Sequence, residues 1–284
     1  MIKTYHIFKR LFSIILIGII LTTVMSIVAF LAAYDGEAKT LNMDSPLSII
    51  LMIMMALVLL TIVFLSFKTR GLSFEKIKKD RKLTSFCGLF AAIMAFGSLI
   101  NDIVIIIVNK GDYSTVACMK TALTILTCAY FVIEALPHFI KGKNVVIPLL
   151  VRRILSVATI MWAILGIFSI YFDTSGSILS SSIIYNGKII SYVTAAMFFV
   201  FDTEREFTKV KYSMLIFSAL AVELISSVIS VGLIFGLVFG RVELSYLGYD
   251  MLCYFLFLGI GLFAISRVYS VLETLKLTTI NTEN

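Results

Sequence analysis

The chain has 284 residues, 60% of them hydrophobic and 14% charged, with a net charge of +7. A soluble domain must solvate its own surface and does not carry so large an apolar share, which excludes a soluble fold. The surplus of Lys and Arg then reads as cytoplasmic loop charge in contact with anionic lipid, with no nucleic-acid partner.

An uncharged run from Leu11 to Ala33 follows Lys9 and Arg10. It is too long for the core of a signal peptide and lacks a small-x-small cleavage pattern, so it predicts a retained helix over about 11–33. Asp35, Glu37 and Asp44 form a short acidic loop. Ser45-Pro46 offers an N-cap followed by proline, opening a second span over about 46–67. Lys68 to Lys82 is the most basic segment, with Leu72, Phe74 and Ile77 between its charges. It is expected either as a solvated cytoplasmic loop or as an amphipathic stretch on anionic headgroups.

The third span is expected over about 84–108 and the fourth over about 115–136, where Pro137 can end a helix. The fifth follows over about 154–172, then a Ser-rich loop from Thr174 to Ser182. The sixth is placed over about 183–201, before a charged turn from Asp202 to Lys211. The seventh and eighth are placed over about 212–239 and 247–268. Each is close to the roughly 20 residues that cross hydrocarbon. The expected fold is an all-α polytopic bundle of eight transmembrane helices in one integral membrane domain, residues 1–284.

Eight crossings place both termini on one side. Lys39, Lys110, Lys120, Lys188 and Arg241 fall on the far side, and the other 19 of the 24 basic residues fall on the side of the termini. That bias predicts cytoplasmic termini, in the plasma membrane if the source is bacterial.

Cys128 to Lys141 recurs 68 residues later as Ala196 to Lys209. Lys120 falls on Lys188, Phe131 on Phe199, Glu134 on Asp202, Phe139 on Phe207 and Lys141 on Lys209. The last pair of spans echoes this weakly, with Arg267 for Arg205 and Ala264 in place of the acid. The pattern predicts repeated helical hairpins that start and end in the cytoplasm.

An ionisable residue in the bilayer core needs a partner or a cavity. Glu223 lies deepest, roughly 18 Å of helix rise into the seventh span. Ser226, Ser227 and Ser230 follow at helical spacing, and together they form a candidate substrate- or ion-binding stripe. Asp102, beside Asn101, extends a small-residue face of Gly88, Ala91, Ala92, Ala95 and Ser98. It either packs inside the bundle or ends at the outer interface. Glu134 shares one side of the fourth span with Lys120, Thr124, Thr127 and His138. It is read as a further binding candidate or as an anchor for a loop lysine. Asp202 is expected to pair with Arg205 three residues on, and Arg267 to snorkel to the inner headgroups. Gly232, Gly236 and Gly240 form a G-x-x-x-G-x-x-x-G face for close helix packing.

Cys87, Cys118, Cys128 and Cys253 all lie in or beside apolar runs and make no C-x-x-C pair, so they read as small buried hydrophobes. His6 and His138 have no second ligand at working spacing. No zinc-protease, serine-hydrolase or phosphate-loop motif stands in the chain, so no metal or cofactor is expected and enzyme chemistry is disfavoured. The composition and the buried acids point to a small-solute or ion permease. The alternative is a non-catalytic membrane subunit or sensor that binds a protein partner through its cytoplasmic loops.

Overall fold

The computed structural model describes residues 2–35, 40–70, 81–108, 115–139, 148–173, 183–207, 212–242 and 251–281. The stretch 71–80 of the basic segment, the Ser-rich loop and the side chains of His138, Arg205 and Lys209 lie outside the described residues. Eight helices follow in order: α1 (Ile2–Ala32), α2 (Pro46–Lys68), α3 (Arg81–Val108), α4 (Thr115–Phe139), α5 (Leu149–Asp173), α6 (Ile183–Phe207), α7 (Tyr212–Val238) and α8 (Met251–Asn281). A two-residue antiparallel ladder, β1 (Tyr34–Asp35) on β2 (Thr40–Leu41), closes the α1–α2 loop.

Hydropathy locates these elements and packing extends them. α1 starts nine residues before the expected span. Phe8 and Phe12 stack with ring centroids 6.2 Å apart and are both buried, which ties its first turns to the core. α8 runs thirteen residues past its expected end, and Ser270, Val271, Thr274 and Leu275 remain buried along the added turns. Ser45 occupies the predicted cap position before Pro46, in extended conformation, but its hydroxyl does not bond the first turn. Its carbonyl instead accepts the N–H of Ile49 at 3.1 Å.

Seven of the eight helices are long and apolar enough to cross a membrane, judged on the described residues. The exception is α6, which carries Asn186, Lys188 and Asp202. All eight expected helices are thus present, and seven of them have the length and apolarity of a membrane crossing among the described residues.

α8 is the axis of the bundle. It packs on α1, α3, α6 and α7. Aromatic contacts add the other neighbours: Phe263 meets Phe131 of α4 at 5.3 Å and Phe198 of α6 at 6.3 Å, and Phe257 meets Trp162 of α5 at 6.4 Å. α2 lies at the periphery, against α1 and α7. Its buried Leu51, Val58, Ile62 and Leu65 form one stripe, while Ile53, Leu57, Leu60 and Phe64 face outward. An exposed apolar face of that size would drive aggregation in water and is matched by lipid tails.

Two small-residue contacts let helices approach closely. Gly259 of α8 sits where an added Cβ would come within 2.9 Å of the Ala91 backbone in α3. Gly232 of α7 lies against Ser26 and Phe30 of α1, so the glycine face packs inside the bundle. Gly240 is not part of that face. It lies past the end of α7 with φ +69°, and the N–H groups of Arg241 and Val242 bond back to the Gly236 carbonyl. This is a glycine C-cap in the left-handed region that side chains avoid.

Candidate functional site

Among the described residues, three groups built on buried acids stand out. The largest gathers around Arg267. On α4, Tyr130 and Glu134 stand four residues apart and share a face. Asp202 comes from α6 and Arg267 from α8. The Arg267 Nη2 donates to Glu134 Oε2 at 2.6 Å and lies 3.4 Å from Asp202 Oδ2, while its Nε is 3.3 Å from Asp202 Oδ1. The Tyr130 hydroxyl donates to Asp202 Oδ2 at 2.7 Å. Arg152, near the start of α5, places its Nε 3.7 Å from Glu134 Oε1 and is the most exposed member. The Phe263 ring lies under the guanidinium at 4.5 Å, a cation–π contact.

This arrangement corrects one expectation and adds to two others. Arg267 does not snorkel: its side chain is 1% exposed. Glu134 and Asp202 converge on one guanidinium, and the Arg205 side chain and loop lysines expected as their partners lie outside the described residues. Burial explains the arrangement, because an arginine in a dry interior needs its charge matched by nearby acids with good geometry. Phe131, Phe199 and Phe263 close over the same cluster.

The second group lies in the α3–α4 hairpin, where Lys120 Nζ is 3.2 Å from Asp102 Oδ2. Asp102 is buried and Asn101 half-buried, so Asp102 belongs to the bundle interior. The small-residue face beside it packs on α4, where a Cβ at Gly88 would lie 3.4 Å from the Phe131 carbonyl.

The third group contains Glu223 of α7, 7% exposed. Its Oε2 has no hydrogen-bond partner among the described residues. The expected serine stripe is present but turned differently. Ser226 and Ser227 donate to the Glu223 main-chain carbonyl, at 3.2 and 2.6 Å, and not to its carboxylate. Helical Ser commonly bonds back to the preceding turn in this way. Ser230 is fully buried, and its hydroxyl has no partner among the described residues. The carboxyl group rests against α8 at Gly261, where an added Cβ would collide with Oε2 and come within 2.5 Å of Ser226 Oγ. Cys87 of α3 lies within its electrostatic reach.

The structure therefore keeps Glu223, Asp102 and Glu134 in three separate groups. Sequence reasoning missed Tyr130, Arg152 and Gly261. It also missed the pairing of Lys120 with Asp102 and the role of Arg267. One signal was available: in the expected repeat Ala264 falls on the acids Glu134 and Asp202, and the cation comes three residues later. Among the described residues no three metal-ligating side chains come together.

Compared with models of known protein families, with curated proteins and with solved structures, the chain matches none. The class rests on the fold itself. Multiple long apolar helices make this a multi-pass integral membrane protein.

Proposed function

We propose that the protein is a small-solute or ion permease whose polar site is Glu223 with its neighbouring serines. One observation carries this reading. The buried acids of the other two groups each lie within 4 Å of a Lys or Arg, whereas Glu223 has no basic partner among the described residues. A structural acid is expected to be matched, and an unmatched one at mid-bundle is a functional candidate. α6 completes an eighth crossing in this reading, which returns both termini to the cytoplasm. The hairpins α3–α4 and α5–α6 are repeats that supply Glu134 and Asp202 from corresponding positions.

The test is uptake into proteoliposomes. Glu223→Gln keeps the shape and removes the titratable group, so it should abolish the proton or cation dependence of uptake. Transport that keeps its full pH dependence in that variant removes Glu223 from the site.

A second reading is supported by the tightness of the α3–α8 contact at Gly259 and by the Arg267 fastening. A closed core suits a non-catalytic subunit or sensor that binds a partner through the Lys68–Lys82 and Asp202–Lys211 segments. Neutralising the basic segment would then release a co-purifying protein while leaving the bundle folded.

A further inference from the structure

Glu223 is surrounded by groups that are already engaged. On α8, Arg267 lies six residues beyond Gly261 and is occupied by Glu134 and Asp202. On α6, Asp202 belongs to that same cluster, and Lys188 lies near the opposite end of the helix. α1 places Lys9 and Arg10 in its first turns, and α2 places Lys68 at its last residue. On α3 the one nearby titratable group among the described residues is the half-buried Cys87, a thiol and not a cation. No cation on these helices is paired with the carboxyl group among the described residues.

The space around the carboxyl group is equally restrictive. Calcium takes about six to eight oxygen ligands and magnesium a near-octahedral set. Here one oxygen of Glu223 abuts the α8 backbone at Gly261, where even a methyl group would collide. With both carboxyl oxygens, the Ser226 and Ser227 hydroxyl oxygens, whose protons go to the Glu223 main-chain carbonyl, still fall short of the ligand set that either ion takes. A proton needs no coordination shell and converts the carboxylate into a neutral acid with its own donor.

We propose that the ion taken up at Glu223 is a proton and not a metal cation. This rests on the permease reading for its purpose but not for its chemistry. The carboxylate gains one proton and later releases it, with only the O–H bond made and broken.

The test uses the full chain in lipid nanodiscs and a lipid-soluble carbodiimide, which adds to a protonated carboxyl group and not to an ionised or metal-bound one. Labelling is read by intact mass and mapped by peptide mass spectrometry, with Glu223→Gln as the blank and Glu223→Asp as the conservative variant. The expected result is an adduct on Glu223 whose rate falls about tenfold per pH unit above its midpoint, the slope of a single proton. Sodium, potassium and calcium salts should leave that rate unchanged. Protection by a metal cation overturns the proposal, as does an absence of labelling in monodisperse wild-type protein. Proton-dependent labelling without uptake would leave the proton site standing and remove the permease reading. Uptake without labelling would do the reverse.

Discussion

Arg267 is the residue on which the interior depends most. Two acids hold its guanidinium, so either Glu134→Gln or D202N alone leaves one ionic contact in place. The double substitution leaves a buried cation without its ion-pair partners and should cost about 3–5 kcal/mol. Adding Arg267→Met to the pair removes the uncompensated charge and should recover most of that loss, because well-packed apolar groups replace buried ion clusters at little cost. Thermal unfolding in detergent, followed by size-exclusion fluorescence, measures all three. A triple variant less stable than the double would contradict this electrostatic account. The acids were visible in the sequence, because Glu134 and Asp202 end matching apolar runs. Their partner was not, because Arg267 lies 133 residues from Glu134 and a lone arginine near a helix end ordinarily reaches for headgroups. Glu223 was legible through depth alone. The surroundings that make it unusual, Gly261 and Cys87, come from two other helices.

Among the elements, α7 and α8 carry the closest contacts. Gly232→Leu would place a side chain into Ser26 and Phe30 of α1 and should cost about 1–3 kcal/mol through overpacking. Gly240→Ala meets no neighbour within 4 Å among the described residues and is strained by its positive φ, so about 1–2 kcal/mol is expected. The two glycines share one sequence pattern and are separated by mechanism: a repacked neighbour such as Phe30→Ala should rescue Gly232→Leu partly and Gly240→Ala not at all. Melting temperatures of the paired variants decide this. Runs of apolar residues revealed the middles of the helices, where hydrocarbon sets the length. The ends escaped because α1 and α8 continue wherever burial, not lipid, supplies the apolar contact. α6 falls short of the apolarity of its neighbours because Lys188 and Asp202 lie inside the fold, where hydropathy treats them as if they faced lipid.

For the whole molecule, parity is the deciding quantity. If α6 crosses, tags at both ends stay shielded from a membrane-impermeant reagent on intact cells, and both react once the membrane is opened. If α6 does not cross, the two ends differ in accessibility. A probe cysteine in the loop between α6 and α7, in a background lacking the native thiols, gives an independent reading and should be labelled only in opened membranes.

The axial helix is also synthesised after the helices that it packs against. During biogenesis, Glu134 and Asp202 enter the membrane before their cation exists. An insertase or chaperone must therefore tolerate a half-built bundle with two carboxyl groups waiting inside it. A nascent chain halted before α8 would present those acids to cellular quality control, and arrest at that point should mark the protein for degradation.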